Sequence, residues 1–285
     1  MGRVEGGESL ANVFKETLVD DVKGMATTNE KIQVIPSFLR CSFQILDKMS
    51  DACFTASHKR LEGKVAIVTG GASGIGASTV QLFQEHGAEV MIADIQDELG
   101  QAIADKLGKN VSYIHCDVSN EDDIIKLVDT TISKYGKLDI MYNNAGLMER
   151  PLGTILDSKR SDLEHILGVN LIGAFLGANM QLGNLTPELG QYGIRVNCVS
   201  PYGLVSGMTG ITSEANRRKV EVYLSEMGNL KGQILRADGV AQAALYLASD
   251  EAYYVSGLNL VVDGGFSVVN PSKHLGASNR PILKN

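Results

Sequence analysis

Val65-Ala-Ile-Val-Thr-Gly-Gly-Ala-Ser-Gly-Ile-Gly-Ala-Ser-Thr-Val80 decides how the chain folds. Val65 to Thr69 is a short apolar run, the signature of a strand buried on both faces. Glycines then stand at 70, 71, 74 and 76, and helical spacing sets in from Ala77 to His86, with Val80, Leu82 and Phe83 near one face. A strand that turns through glycine directly into a helix leaves main-chain N–H donors and the positive end of the helix dipole at the turn, a natural seat for an anion. Without side chains the turn is tight, and a ligand can reach the backbone.

Downstream, the same alternation repeats. Glu89–Ala93 reads as strand, Ile95–Leu107 as helix, Val111–His115 as strand and Asp122–Tyr135 as helix. Leu138–Tyr142 is a strand, Leu163–Met180 a long apolar helix and Ile194–Val199 a strand; Asp238 caps a helix running to about Ser249, and Leu258–Val262 is the last strand. Strands alternating with helices imply right-handed crossovers and a parallel sheet, an α/β doubly wound, Rossmann-like fold. Residues 61–270 form that domain; residues 1–60 read as a flexible extension and 271–285 as a tail.

The candidate dinucleotide site starts at the first turn, with Gly70, Ser73, Gly74, Ile75 and Gly76 cradling a pyrophosphate. Asp94 closes the second strand, where a carboxylate accepts the ribose hydroxyls of an adenosine and repels a 2′-phosphate. No Arg or Lys lies within Gly70–Gly76 or directly after Asp94, so the expected cofactor is NAD rather than NADP. Asp117 and Val118 follow the third strand, where an acceptor meets the adenine amino group. Asn143-Asn144-Ala145-Gly146 follows the fourth; its small residues lie against the ribose, and an Asn amide there ties neighbouring strands together. Ligands of such sheets sit at the carboxyl ends of the strands.

These stretches, with Asn170-Leu-Ile-Gly173, Ile194–Gly203 and Gly257–Phe266, resemble the short-chain dehydrogenase/reductase family, and Gly190–Gly203 and Tyr254–Phe266 resemble its plant branch. The resemblance covers about residues 60–270. It implies NAD(H)-dependent oxidation of secondary alcohols or reduction of ketones in plant specialised metabolism, with a small-molecule substrate. It places Asn170 in the family's catalytic set and Ser206 where a hydroxyl meets the nicotinamide carboxamide.

One segment breaks the pattern. The family moves hydride with the help of a Ser, a Tyr-x-x-x-Lys pair and an Asn. A phenol with a pKa of about 10 exchanges a proton near neutrality only when a nearby cation lowers it. None of the nine tyrosines here is followed by Lys four residues later. Only residues 171–193 separate Asn170 from the strand near Ile194, too few for the family's fifth strand, which carries the Ser, and for the helix that carries Tyr and Lys. A central strand and most of a helix are therefore expected to be missing, the junction falling between Ala178 and Pro187, with Thr186-Pro187 restarting a short turn. The strand at 194–199 must then pair with 138–142 or leave a gap. Asn170 without a relay reverts to a helix polar group bonding backbone. Tyr142 reads as strand packing and Tyr202 as a turn or pocket-wall residue. The alternatives to a working dehydrogenase are an NAD-binding chain without turnover and a truncated product of an altered transcript.

Composition agrees. With 285 residues, 44% apolar and 21% charged, the chain is neither disordered nor a disulfide scaffold. A net charge of −7 disfavours nucleic acid as a partner. No stretch is long and apolar enough for a membrane span; Ile32–Leu46 is interrupted by Pro36 and Arg40. Residues 1–24 carry acids that fit neither a transit nor a signal peptide, and Met25 or Met49 offers another start. Cys41, Cys53, Cys116 and Cys198 form no Cys-x-x-Cys pair and read as reduced thiols, the last two in buried strands, in keeping with a cytoplasmic location. His58, His86, His115, His165 and His274 show no ligand spacing, so no metal is expected. The charge run Arg217-Arg218-Lys219 reads as a solvated helix face, while Met208, Met227 and Leu230 line a pocket or pack as core. The family's homo-oligomers form through the helices that flank the lost segment, so oligomerisation should be weakened here.

Overall fold

The computed structural model describes residues 59–148, 159–181, 190–209 and 213–268. The expectations for residues 1–58, for the junction at Thr186-Pro187 and for the tail beyond 268 lie outside these, as do Cys41 and Cys53. The first part is a four-stranded parallel sheet in the order β3-β2-β1-β4, formed by β1 (Val65–Thr69), β2 (Glu89–Asp94), β3 (Val111–His115) and β4 (Ile140–Tyr142). Between the strands run α1 (Gly74–Glu85), α2 (Asp97–Leu107) and α3 (Glu121–Tyr135). Next come α4 (Arg160–Leu167), a π-helical stretch at Gly168–Gly173 and α5 (Ala174–Gln181), then β5 (Cys198–Pro201), α6 (Glu214–Met227), α7 (Ala237–Ala248) and β6 (Asn259–Val262).

All five residues of β1 are buried, as a strand covered on both faces must be. Alternation along it divides the core. Ala66 and Val68 join Val80, Phe83, Val90, Ile92 and Leu245 beneath α1 and α7, while Ile67 joins Met91, Ala93, Ile124 and Leu127 beneath α3. Burying the Phe83 ring alone contributes about 2–3 kcal/mol. Layers of helix on both faces confirm the doubly wound architecture.

The sheet then stops. Among the described residues β4 pairs with β1 alone, and β5 pairs with β6 alone, as a separate two-stranded parallel sheet. Of the two outcomes open to the strand after residue 194, the structure takes the gap. Helix α7 packs against α1 and also touches β5 and β6, which keeps the small sheet attached to the core. The gap is visible in the burial pattern: Cys198 and Pro201 of β5, and Asn259 and Val261 of β6, are exposed. Cys198 is thus not the buried thiol expected of it, since no described strand lies along the other edge of β5; Cys116 is buried.

Local boundaries differ for physical reasons. The strand expected at Ile194–Val199 runs from Cys198 to Pro201; just upstream the Val196 carbonyl still accepts from Gly257 N–H (2.7 Å), and side chains hold the residues on either side of it. The Arg195 guanidinium donates to the Leu247 carbonyl (2.7 Å), and the Asn197 amide donates to the Val255 carbonyl (2.8 Å). The long helix expected at Leu163–Met180 is interrupted by the π-helical stretch. Asp238 does not cap α7: Arg236 is its N-cap, and Asp238 lies in the first turn, accepting from Gly239 N–H.

Candidate functional site

At the carboxyl ends of β1, β2 and β4 the chain builds one cradle. Helix α1 begins at Gly74, inside the glycine turn and ahead of the Ala77 at which helical spacing sets in. Gly70 and Gly74 have φ of 63° and 53°, the left-handed region where a side chain is strained. A Cβ on Gly76 would lie 2.0 Å from the Gly70 carbonyl oxygen, and one on Gly70 would lie 2.8 Å from Ala145 Cα. The turn can close only because these positions lack side chains.

The N-cap of α1, Ser73, makes no side-chain capping bond, and no acidic residue stands in the helix's first turn. By contrast α3 caps itself through Asn120, whose side chain accepts from Asp122 N–H (3.0 Å), and carries Glu121, Asp122 and Asp123 in its first turn. The first-turn donors of α1, including Ile75 and Gly76, thus remain available to an anion, and their dipole is not offset by the chain's own carboxylates.

Asn144 does what an amide between two strands was expected to do. Its Nδ2 donates to the Thr69 carbonyl (2.9 Å) and the Gly70 carbonyl (3.3 Å), tying β4 to the turn. Thr69, not among the expected site residues, returns the favour: its hydroxyl accepts from Asn144 N–H and Ala145 N–H, both at 3.0 Å. Ser206 reaches the cradle from the far side of the gap; its Cβ is 3.1 Å from where a Cβ on Gly74 would sit.

Asp94 is buried and already engaged. One carboxylate oxygen accepts from Ala72 N–H (2.9 Å) and the other from Gln96 N–H (3.0 Å), which fixes its orientation toward the turn. Each oxygen keeps acceptor capacity, as a carboxylate offers about four lone-pair sites. Just beyond it, Asp97 Oδ1 lies 2.5 Å from the Tyr113 hydroxyl and 2.7 Å from His115 Nδ1, and that hydroxyl is also 2.8 Å from the Asp94 carbonyl oxygen. Asp117 closes its own turn by accepting from Ser119 N–H (2.9 Å). Val118 is buried, packed where a Cβ on Gly173 would meet its methyl at 2.7 Å.

Asn170 is wholly occupied by main chain. Its Oδ1 accepts from Leu147 N–H (2.7 Å), and its Nδ2 donates to the Leu147 carbonyl (2.8 Å). Tyr142, at the end of β4, is not activated. Burial pushes the Tyr142 phenol up to about 12, and proximity to Cys198 adds to the effect. Tyr202 stacks on Phe266, ring centroids 4.9 Å apart, and its hydroxyl donates weakly to the Leu224 carbonyl (3.4 Å). A phenol–ammonium couple does exist: Lys134 lies 5.5 Å from the centre of the Tyr135 ring, and both side chains bond Ser112. Ser112 is near the amino end of β3, however, on the side of the sheet away from the cradle. Burial also raises the Tyr135 phenol, the opposite of what proton transfer near neutrality needs. Burial likewise raises the Cys116 thiol to about 12. Among the described residues no cluster of ligands could hold a metal.

Beyond the Tyr202–Val205 loop lies a cavity of about 590 Å³, bounded by α6 and the end of β6. Of the two readings open for Leu230, lining a pocket or packing as core, the structure takes the first; Met227 does not line the cavity. Arg217 and Arg218 pair with Glu214 on the outer face of α6, as a solvated charge run should. Glu221, on the same helix, lines the cavity together with Leu224 and Ser225.

A family model described as short chain dehydrogenase matches residues 64–185, and one described as Enoyl-(Acyl carrier protein) reductase matches residues 182–267. The chain is 59% identical to Tropinone reductase-like 1 of Erythroxylum coca over 257 residues, spanning 75% of this chain and 94% of that protein. It is 56% identical to (21S)-21-acetoxyl-apo-melianone synthase SDR of Melia azedarach over 264 residues (79% of this chain, 97% of the relative) and 45% identical to secoisolariciresinol dehydrogenase of Forsythia intermedia over 258 residues (76% and 93%). Among solved structures, the 3-ketoacyl-(acyl-carrier-protein) reductase of Brucella melitensis complexed with NADH superposes with a TM-score of 0.64 at 26% identity, covering 73% of this chain and 99% of that one.

Proposed function

The chain belongs to the short-chain dehydrogenase/reductase family, and we propose that it binds NAD(H) on the Gly70–Gly76 cradle without supporting the proton transfer that the family's reaction requires. The observation that carries this reading is the separation of β4 from β5. The family places its Ser strand and its Tyr-Lys helix between those two strands. No tyrosine of the chain precedes a lysine at the family's spacing. The matched lengths support the same view: a 264-residue match that uses 79% of a 285-residue chain leaves many positions of the Melia relative without a counterpart here.

A nicotinamide cofactor follows from the family and from the cradle, whose uncapped α1 donors suit a pyrophosphate. When bound, it would supply the hydride. Preference for NAD over NADP rests on the Asp94 carboxylate at the end of β2 and on Ile95 in place of a cation beside it. The structural neighbour solved with NADH is in keeping with this choice. Gly70, Ser73, Gly74, Ile75 and Gly76 would hold the phosphates, and Asp94 the adenosine ribose. Asn144, Ala145 and Gly146 would line the same side, and Ser206 would close the nicotinamide end.

Loss of positioned acid–base groups lowers rates by about 10²–10⁴. The second reading, a working oxidoreductase of secondary alcohols or ketones in plant specialised metabolism, draws on the relatives, among them secoisolariciresinol dehydrogenase. No helix among the described residues is long and apolar enough to cross a membrane. A cytoplasmic location and a small-molecule alcohol or ketone as partner belong to the same proposal.

Two measurements on one preparation decide. Enhanced NADH fluorescence on adding protein, with no 340 nm signal from NAD plus a panel of secondary alcohols, is the expected result. Clear turnover would establish the dehydrogenase reading, and failure to bind NADH would leave only a truncated, non-functional product.

A further inference from the structure

Helix α2 departs from ordinary helix chemistry at two places. Gly100 stands buried in its interior, where glycine is unfavourable, and the N-cap, Gln96, makes no side-chain capping bond. Tyr113 accounts for the first. A Cβ on Gly100 would lie 2.3 Å from two carbons of the Tyr113 ring, so glycine is what lets β3 press that ring against the helix. Asp94 accounts for the second: both Gln96 N–H (3.0 Å) and the Gln96 amide Nε2 (3.2 Å) donate to Asp94 Oδ1. The start of α2 is held from β3 instead. The Tyr113 hydroxyl lies 2.8 Å from the Asp94 carbonyl oxygen and 2.5 Å from Asp97 Oδ1. His115, on the same face of β3, brings Nδ1 within 2.7 Å of that Oδ1. The hydroxyl thus clips residue 94 to residue 97, across the turn whose Gln96 N–H aims the Asp94 carboxylate.

We propose that Tyr113 is a positioning residue for the cofactor: its hydroxyl, acting through the turn between Asp94 and Asp97, holds the Asp94 carboxylate in the orientation that favours NAD(H) over NADP(H). The ring alone would fill the space beside Gly100, whereas both partners of the hydroxyl belong to the turn. Hydrogen bonds from ribose hydroxyls weaken steeply when the acceptor swings out of line. A 2′-phosphate gains nothing from that carboxylate, and the pyrophosphate is gripped by α1, so a looser turn costs NADH its ribose contacts and leaves NADPH almost unaffected. The proposal deepens the cofactor reading advanced above and rests on it.

Tyr113→Phe in the full chain keeps the ring and removes only the hydroxyl. Dissociation constants for NADH and NADPH are measured by fluorescence in the unsubstituted chain, in Tyr113→Phe, in Asp94→Ser and in the double variant. Tyr113→Phe should weaken NADH about three- to tenfold, the worth of one hydrogen bond, and leave NADPH within about twofold. In the Asp94→Ser background the same substitution should change NADH affinity by less than about twofold, because the carboxylate through which Tyr113 acts is gone. Equal weakening of both cofactors would mark a general support of the fold, and a full effect surviving in Asp94→Ser would place the action of Tyr113 elsewhere. Either result, or an unchanged NADH affinity, overturns the proposal. Should Tyr113→Phe fail to fold, Gly100→Ala, whose methyl displaces the same ring, carries the comparison, and an unchanged NADH preference there has the same force. An unsubstituted chain that binds neither cofactor would overturn the cofactor reading and this proposal with it, a result distinct from bound NADH that ignores Tyr113.

Discussion

Asn170 clasps Leu147 with both ends of its amide, accepting from the N–H at 2.7 Å and donating to the carbonyl at 2.8 Å. The clasp holds the segment that follows β4 against the π-helical stretch and leaves the amide no further partner to serve. Asn170→Ala should therefore act on stability rather than chemistry. Two solvent-accessible hydrogen bonds of this kind contribute about 1–2 kcal/mol together, so the melting temperature should fall by a few degrees. NADH affinity should stay within about twofold, the spread of a context-dependent contact. A loss of residual turnover out of proportion to the loss of stability would restore Asn170 to the catalytic set.

The cradle depends on close approach of main chain to main chain, so its glycines should be intolerant. Gly76→Ala brings a methyl to 2.0 Å from the Gly70 carbonyl, a contact that no rotamer relieves. NADH fluorescence enhancement should disappear, while far-ultraviolet circular dichroism keeps its α/β form. Normal NADH binding by Gly76→Ala would mean that the turn is looser than its geometry indicates.

Cofactor choice rests on Asp94 and its neighbour. The double substitution Asp94→Ser, Ile95→Arg removes the carboxylate and offers a guanidinium to a 2′-phosphate. It should weaken NADH at least about tenfold and bring NADPH affinity up to or past it. A natural preference for NADPH in the unsubstituted chain, measured by competition between the two cofactors, would refute the assignment.

Much of this was legible in sequence up to Tyr142; beyond Asn170 the helix ending near Ser249 and the strand at Leu258–Val262 were legible too, while the edges of β5 and the part played by Glu221 were not. The run Val65–Thr69 and its neighbours announce themselves because strands buried on both faces are uniformly apolar. Helix α1 starts earlier than its apolar spacing because glycine at 74 and 76, unfavourable for a helix interior, is placed there by the tight turn, where main chain meets main chain. The approach to the strand at Cys198–Pro201 is fixed in part by side-chain bonds from Arg195 and Asn197, whose partners lie some fifty or more residues away and leave no local signal. Glu221 was hidden by its own chemistry, since an acid two residues after Arg217-Arg218-Lys219 reads as solvated. The signal was its place one turn before Leu224 and Ser225, which line the same cavity.

The contact between Asp97 and His115 sets a pH window at the carboxyl end of β3. Hydrogen bonds from Tyr113 and then His115 hold the Asp97 carboxyl below its ordinary value of 3.8, and the bond to Asp97 holds the His115 imidazole above its ordinary 6.5. The histidine's contribution is complete below its unfolded pKa and is lost as pH rises through the raised folded value. The aspartate's contribution is present above its unfolded pKa and is lost as pH falls through the lowered one. The pair is thus intact in mildly acidic solution and loosens in alkaline solution. In Asp97→Asn the imidazole titration, followed by proton NMR, should move down toward 6.5. An unmoved titration would show that the two side chains are not paired in solution.

The gap between β4 and β5 makes the strongest demand. If the sheet is split because a strand and a helix are missing, grafting the corresponding segment of the Forsythia relative between Ala178 and Pro187 should rejoin it. Two edges without a partner strand among the described residues would each gain a parallel neighbour, and Cys198 would become buried, measurable as slowed reaction with a thiol reagent. The exposed apolar residues Leu163, Leu167, Leu171 and Phe175, spaced along one face of the α4–α5 stretch, would gain a partner surface, so the graft should also sediment as a larger oligomer than the parent. With Tyr and Lys restored, NAD reduction at 340 nm should rise at least about 100-fold over the parent chain. A parent that already turns over at the grafted rate would show that some other group supplies the proton, and the inactive reading would fall.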